Sequence, residues 1–355
     1  MKSRATLLAV CLAVLGIGLG LVQARLDPQR ALFAYTAGFV SAVAVAVGAL
    51  LFVSIAHTAR ARWFVVFRRL SSALAAVLPI FLLLFLPIAL GVRTLYPWAR
   101  DLSTLDPAER AWAVHAHAWL NVPFFVARSY VYLFLWSGLA LLLRRTSLAS
   151  DAEPSQALVR RERFLSAAAL PVFAVTLTGA AFDWVMSLDA RWASDMLGLY
   201  LFAGTFAGSM GALVVAAWLA WRAKVLPDRV GPSHFHALGR VLLVAVIFWT
   251  YIAFCQFLLV WIADIGRESG FYVRRVGGGW TPFVVMLVLY HFVIPFLLLL
   301  SRSLKRRPHL LALVGACVLC GHALDGYWLV VPALGRGTHV LDLAFTVGLG
   351  ALCAA

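Results

Sequence analysis

Long apolar runs separated by short polar links fill the chain. A helix needs roughly 20 apolar residues to cross the hydrocarbon core of a bilayer. The runs predict ten transmembrane helices, at residues 5–22, 32–56, 73–92, 121–143, 164–186, 196–221, 238–263, 280–301, 309–331 and 338–355. Prolines inside several runs do not break this prediction, because neighbouring membrane helices satisfy the freed backbone groups. The predicted fold class is all-α integral membrane, with a single transmembrane domain over residues 1–355.

Basic residues indicate how these helices are oriented. Nineteen of the 30 lysines and arginines lie at the N-terminus and in the links 57–72, 144–163, 222–240 and 302–308, whereas ten lie in the other links. We call the first side the basic end and the other the opposite end. Lysine and arginine concentrate in cytoplasmic links, so both termini are predicted to be cytoplasmic. Lys2, Arg4 and the apolar stretch after them also resemble a cleavable signal peptide, but this run is long for one, and we expect a retained helix.

The composition supports a membrane protein over a soluble one. Hydrophobic residues make up 63% of the chain, charged residues only 13%, and the mean hydropathy is +0.92, which lipid solvates better than water does. The formal charge of +15 does not indicate nucleic acid, because the basic residues sit at helix ends, where they meet anionic lipid headgroups. All five cysteines lie in apolar runs, so no disulfide framework is expected.

Polar residues within the fourth and fifth predicted helices form the first candidate site. Asn121, Arg128 and Tyr132 are spaced to share one helix face. Arg128 is either a fixed cation that orients a carboxylate, a lipid phosphate or a quinone headgroup, or a snorkelling arginine paired with an acid at the interface. Asp183 is either a protonatable relay group or a structural partner of Arg128 or Arg191.

The seventh and eighth helices each carry one buried polar candidate. Gln256 is interpreted as an interhelical hydrogen-bonding residue, with Tyr251 nearby in the sequence. His291 lies near the middle of its run, where a histidine titrates near neutral pH once a cavity hydrates it. The alternative is a neutral imidazole bonded to a backbone carbonyl.

The last two helices repeat one spacing. His322 and Asp325 are three residues apart, as are His339 and Asp342. Residues at this spacing share a helix face, so each pair predicts an Asp–His couple of the kind that relays protons. Two such pairs on neighbouring helices predict a connected polar path, and the alternative is that each pair is satisfied statically.

No redox or metal site is expected from the sequence. Cys317, Cys320 and His322 have metal-like spacing, but no second pair of ligands closes a tetrahedral site. Haem ligation needs two histidines at matching depth on facing helices, which the sequence does not provide clearly. Neither a catalytic residue nor a cofactor-binding residue is assigned.

Several long strings resemble the second quinol-oxidoreductase membrane subunit of bacterial alternative complex III. They cover much of the stretch from about Gly48 to Leu349. The matching strings are Asn121–Arg128 with Tyr132 and Trp136, Ala181–Trp192, His234–Ile265, Tyr290–Pro308 and Asp325–Pro332.

This resemblance implies a fold and a set of partners. The family is similar to the membrane subunits of polysulfide and nitrite reductases, with two four-helix bundles and flanking helices. Its complex lies in the bacterial inner membrane, takes electrons from menaquinol or ubiquinol, and passes them through iron–sulfur clusters and haem c on periplasmic subunits. The acceptor is a cytochrome c or a terminal oxidase. The resemblance also implies that this subunit carries no redox cofactor and that a sister membrane subunit holds the quinol site.

Three functions follow as hypotheses. The first is a subunit that conducts protons along buried groups, with Arg128, Tyr132 and Gln256 as fixed or orienting residues. The candidate relay residues are Asp183, His291, His322, Asp325 and Asp342. The second hypothesis is a quinol-binding subunit, and the third is a secondary transporter, although no inverted repeat is visible. Lipids are expected partners in each case.

Overall fold

The computed structural model describes residues 2–152, 155–277 and 279–355, and about 85% of the chain is helical. Within these ranges the structure contains no β-strand. Its α-helices are α1 (Lys2–Leu26), α2 (Pro28–Thr58), α3 (Arg68–Ala75), α4 (Ile80–Leu84), α5 (Leu86–Leu90), α6 (Val92–Leu95), α7 (Pro107–Ala116), α8 (Val122–Ala152), α9 (Gln156–Ala180), α10 (Leu197–Arg222), α11 (Pro232–Ala263), α12 (Gly266–Val276), α13 (Thr281–Val288), α14 (Ile294–Leu300), α15 (Arg302–Lys305), α16 (Pro308–Val330) and α17 (Ala344–Ala354).

Nine helical segments of the described residues are long and apolar enough to cross a membrane, and Val340–Ala354 is a shorter apolar segment. The chain is thus an all-α, multi-pass membrane protein, as its hydrophobic pattern predicts. Several helices extend beyond their predicted bounds: the second runs from Pro28 because Asp27 caps it, accepting a hydrogen bond from the Arg30 amide at 3.1 Å.

Two membrane segments are interrupted where proline occurs. The third, Arg68–Leu90, is divided into α3, α4 and α5 near Pro79 and Pro87. The eighth contains a π-turn at Leu289–Val293, which ends two residues before Pro295. Proline has no amide hydrogen, so it cannot complete the regular hydrogen-bond ladder of the preceding turn. A second π-turn, Ala181–Val185, lies at the end of α9 and is followed by a 3₁₀ turn, Met186–Leu188.

The tenth predicted helix, 338–355, is shorter than expected. A 3₁₀ turn at Val340–Leu343 precedes α17, and Gly335 adopts a left-handed conformation with φ of 72°. The turn forms because the side chains of His339 and Asp342 hydrogen-bond to nearby backbone amides instead of continuing an α-helix.

The long helices pack as two groups of four. The first group comprises α2, the α3–α5 segment, α8 and α9, and the second comprises α10, α11, the α13–α14 segment and α16. Helices α1 and α17 pack together beside α2. Close approach of α2, α10 and α16 depends on glycine: a Cβ at Gly211 would lie 2.7 Å from the Gly315 carbonyl oxygen, and one at Gly48 would lie 2.3 Å from that of Thr205. Small residues allow membrane helices to approach in this way.

Candidate functional site

Asp183 lies in a closed ion pair. Arg128 on α8 donates from Nη2 and Nε to the two carboxylate oxygens of Asp183, at 2.8 and 3.1 Å. The Tyr132 hydroxyl and the Trp119 indole donate to the same carboxylate at 3.0 and 3.3 Å. Asp183 is fully buried and Arg128 is 8% exposed. Of the two interpretations from the sequence, the structural partnership of Asp183 with Arg128 is the one observed.

Asn121 is separate from this group. It precedes the first residue of α8, and its side-chain oxygen accepts a hydrogen bond from the Phe124 amide at 3.1 Å. Asn121 therefore caps a helix, which satisfies an amide that has no partner within the helix. Asn121, Arg128 and Tyr132 were predicted to share one helix face. Of the three, only Arg128 and Tyr132 hydrogen-bond to the carboxylate of Asp183.

Asp342 forms a second closed ion pair. The Arg30 guanidinium donates to it from Nε at 2.9 Å and from Nη2 at 3.2 Å. The Gln23 amide and the Tyr327 hydroxyl donate at 2.6 and 2.9 Å. The predicted couple of Asp342 with the His339 imidazole is wrong. The backbone amide of His339 donates to Asp342, whereas the imidazole Nδ1 of His339 accepts a hydrogen bond from the Leu341 amide. The 3₁₀ turn places the imidazole in a capping position.

Asp325 lies in a different environment, although it is also buried. The Tyr200 hydroxyl donates to its Oδ1 at 2.5 Å and the Trp249 indole donates to its Oδ2 at 3.2 Å. Among the described residues, no lysine, arginine or histidine forms an ion pair with this carboxylate. Both of its hydrogen-bond partners are neutral donors. Asp325 is therefore the one predicted relay acid that the described structure leaves without a cation.

His322 does not form the predicted couple with Asp325. Its Nε2 lies 3.1 Å from the Ser41 carbonyl oxygen on α2, and its Nδ1 has no hydrogen-bond partner among the described residues. The hydrogen bonds of this face of α16 go to different neighbours: His322 bonds to α2, whereas Asp325 accepts from α10 and α11. A spacing of three residues sets the face but not the neighbour that each side chain reaches.

His291 is fully buried in the π-turn of the eighth segment. Neither of its ring nitrogens has a hydrogen-bond partner in the described part of the chain. Its ring centroid lies 3.9 Å from that of Trp249 and 6.3 Å from that of His322. The carbonyl-bonded alternative weighed for His291 applies instead to His322. π-Turns occur frequently at functional sites, because the extra residue re-aims nearby side chains.

We call Asp325, Tyr200, Trp249, His291 and His322 the central cluster. Its members come from α10, α11, the π-turn at Leu289–Val293 and α16, so four separate chain segments build it. The sequence alone identified the acid and both histidines. It missed Tyr200 and Trp249, although aromatic residues with a polar atom usually find a hydrogen-bond partner when they are buried.

Glycines make room for the central cluster. A Cβ at Gly208 would lie 2.6 Å from ring atoms of His322, and one at Gly321 would lie 2.7 Å from the His291 backbone. A Cβ at Gly204 would lie 3.3 Å from Asp325. Gly204 and Gly208 have the small-xxx-small spacing typical of packed membrane helices. From this spacing in the sequence, close packing of α10 against the cluster could have been predicted.

Gln256 is a buried polar residue of α11. It is 3% exposed, and its side-chain oxygen has no hydrogen-bond partner among the described residues, so the predicted interhelical hydrogen bond stays a prediction. Burial raises the pKa of the Tyr272 phenol.

Arg275 on α12 is a buried cation. It is 2% exposed and donates to the Trp328 and Leu329 carbonyl oxygens at 3.2 and 3.0 Å. Its guanidinium carbon lies 3.5 Å from the Phe271 ring centroid. Burial lowers the pKa of Arg275 to about 9. Arg275 therefore stays protonated at neutral pH and satisfies carbonyls at the C-terminal end of α16.

The described residues contain no group of three or more histidine, cysteine or acidic side chains placed to hold a metal ion. Cys317 donates from Sγ to the Tyr290 carbonyl oxygen at 3.3 Å, and the cysteine is a free thiol. The predicted relay residues separate into two arginine-paired acids and one cluster without a cation. No protein-family model and no curated protein sequence matches this chain.

Proposed function

We propose that this membrane protein is the proton-conducting subunit of a respiratory quinol oxidoreductase complex. A sister membrane subunit oxidises menaquinol or ubiquinol, and periplasmic subunits with iron–sulfur clusters and haem c carry the electrons to a cytochrome c or a terminal oxidase. The resemblance to the membrane subunit of alternative complex III supports this setting. The excess of lysine and arginine at the basic end supports placement in a bacterial inner membrane with both termini in the cytoplasm.

The observation that carries the proposal is the absence of an ion-pair partner for Asp325 in the described structure. Asp183 and Asp342 each pair with an arginine, at N···O distances of 2.8 and 2.9 Å. Burying a carboxylate without a cation is costly, which favours the protonated form of Asp325 in a dry cluster. Water entering the cluster removes that cost and allows the proton to leave. This response to hydration is what a relay group needs.

The histidines provide the next proton positions. His291 has two ring nitrogens without partners, and His322 has one. Trp249 lies between Asp325 and His291, but an indole N–H only donates, so it positions the carboxylate and does not carry the proton. The ring centroids of the two histidines are 6.3 Å apart. Transfer between them therefore requires a bridging water molecule or a ring rotation, because direct transfer needs a hydrogen bond of roughly 3 Å.

The decisive experiment replaces Asp325 by asparagine in the assembled native complex, reconstituted in vesicles. We expect the protons that cross the membrane in addition to those released by the quinol itself to be lost, while the complex still assembles and still reduces its acceptor. The matched control is Asp228→Asn, which removes an exposed acid from the link between α10 and α11. Unchanged proton release from a fully assembled Asp325→Asn complex contradicts the proposal.

Two further measurements separate the other hypotheses. A photoreactive quinone analogue that labels this chain rather than a sister subunit favours a quinol-binding role. Purification from the native membrane as a lone or homo-oligomeric species favours a transporter, whereas co-purifying haem proteins support the proposed complex.

A further inference from the structure

A cleft lies at the opposite end of the bundle, outside the central cluster. Its volume is about 590 Å³, within the range of small-molecule sites. The walls come from the segment after α5, from the short helix α7 and from the start of α8. Asp106 caps α7 by accepting a hydrogen bond from the Glu109 amide at 2.8 Å. The cleft is therefore built by ordered helices at the edge of the membrane spans.

The lining of the cleft is basic. Arg93, Arg100 and His117 contribute to it together with Asn121, and none of its lining residues is acidic. Arg100 donates to the Thr94 carbonyl oxygen at 3.1 Å, which restrains its side chain. Two guanidinium groups without a carboxylate in the lining favour a phosphate, which arginine binds through charge-assisted hydrogen bonds.

Trp98 forms part of the wall of the cleft. Trp98 lines it and is 5% exposed, and its indole N–H has no acceptor among the described residues. The ring is held by Tyr96 and Phe125, with centroids 5.3 and 5.2 Å away. Aromatic packing thus holds this wall of the cleft in place.

An exposed apolar stripe leads along the membrane segment to the cleft. Leu83, Leu86 and Leu90 are 77%, 49% and 79% exposed. They are three and four residues apart, and Arg93 follows Leu90 by three, so the four side chains follow one side of the segment. Acyl chains of a lipid lying on the three leucines would place its phosphate beside Arg93.

We infer that this cleft binds the headgroup of an anionic phospholipid, with its phosphate between Arg93 and Arg100 and its acyl chains on the leucine stripe. Both kinds of lipid carry one phosphate, but a zwitterionic headgroup adds a cation beside the two arginines, so an anionic lipid is preferred. The headgroup joins the segment after α5 to the start of α8. Its site is independent of proton conduction, since no member of the central cluster lines the cleft.

The test uses native mass spectrometry of the purified protein after reconstitution with phosphatidylglycerol and phosphatidylcholine. Wild-type protein is expected to retain one phosphatidylglycerol through detergent washing. Arg93→Gln/Arg100→Gln should retain it about 30-fold more weakly, because each interfacial arginine contributes roughly fivefold. Arg25→Gln is the matched control, since it removes an exposed arginine from the end of α1, away from the cleft.

The inference is overturned by equal retention by the double variant, by no preference between the two lipids, or by a quinone as the retained molecule. Added inorganic phosphate should not displace the lipid, because it lacks the acyl chains, and displacement by phosphate also contradicts the inference. Both arginines lie outside the membrane spans. An unchanged melting temperature of the double variant separates lost binding from lost folding.

Discussion

The imidazole of His291 lies against the indole of Trp249, with ring centroids 3.9 Å apart and ring planes inclined by 36°. The same indole donates its N–H to Asp325 at 3.2 Å. One aromatic side chain thus contacts a histidine without hydrogen-bond partners and an acid without a cation. A movement of Trp249 would change the surroundings of both titratable groups at once.

Removing either donor to Asp325 should alter its carboxyl group without unfolding the bundle. In Trp249→Phe the carboxyl loses one hydrogen bond and keeps the bond from Tyr200, and in Tyr200→Phe the reverse holds. We expect both variants to shift the infrared carbonyl band of protonated Asp325 to higher frequency, because fewer donors then polarise the carbonyl. Absence of the band in Asp325→Asn assigns it. A band that is the same in wild type and both variants contradicts the observed hydrogen bonds.

Two glycines one turn apart on α10 provide a matched test of the cluster geometry. Gly208→Ala places a methyl group 2.6 Å from ring atoms of His322, so the ring must move and its contact with the Ser41 carbonyl oxygen should weaken. Gly204→Ala meets Asp325 only at 3.3 Å and requires a much smaller adjustment. We expect Gly208→Ala to impair proton release strongly and Gly204→Ala to impair it weakly. Equal effects of the two variants would show that His322 does not depend on this contact.

The acid at position 183 should matter more for stability than the acid at position 325. Asp183→Asn leaves the buried Arg128 without its anion, which costs about 3–5 kcal/mol in comparable ion pairs. Asp325→Asn leaves one neutral donor without an acceptor, which costs about 1–3 kcal/mol. Denaturation in detergent should therefore show a larger loss for Asp183→Asn. Removing the charges together in Arg128→Met/Asp183→Leu should recover much of it, and a double variant as unstable as the single one contradicts the ion-pair account.

Adjacent arginines on α12 should differ in their contribution to stability. Arg275→Ala leaves the carbonyl oxygens of Trp328 and Leu329 without their donor and should lower the free energy of unfolding by about 1–3 kcal/mol. Arg274 pairs with Asp189 at a partly exposed site, and exposed ion pairs contribute about 0–1 kcal/mol. Thermal unfolding of Arg275→Ala and Arg274→Ala in the same detergent measures the difference. Equal melting temperatures would contradict the capping role of Arg275.

From the sequence, the ionisable residues of the candidate site could be predicted as buried within the helix bundle. An ionisable residue in an apolar run is informative because it is expensive in lipid, and this singled out Asp183, Asp325 and His291. The hydrogen-bond partners of these residues could not be predicted in the same way. The couple of His322 with Asp325 failed because helix spacing places two side chains on one face without specifying the neighbouring helix that each of them meets.

The sequence by itself determined that this chain is a multi-pass helical membrane protein, because hydrophobicity is a local property and each apolar run needs only lipid to be satisfied. Tertiary structure alone decided which buried acids are neutralised. Arg30 and Asp342 are 312 residues apart and Arg128 and Asp183 are 55 apart, and their contacts exist only because distant helices pack together. The same packing, made close by glycines on α10 and α16, left Asp325 with a phenol and an indole in place of a cation.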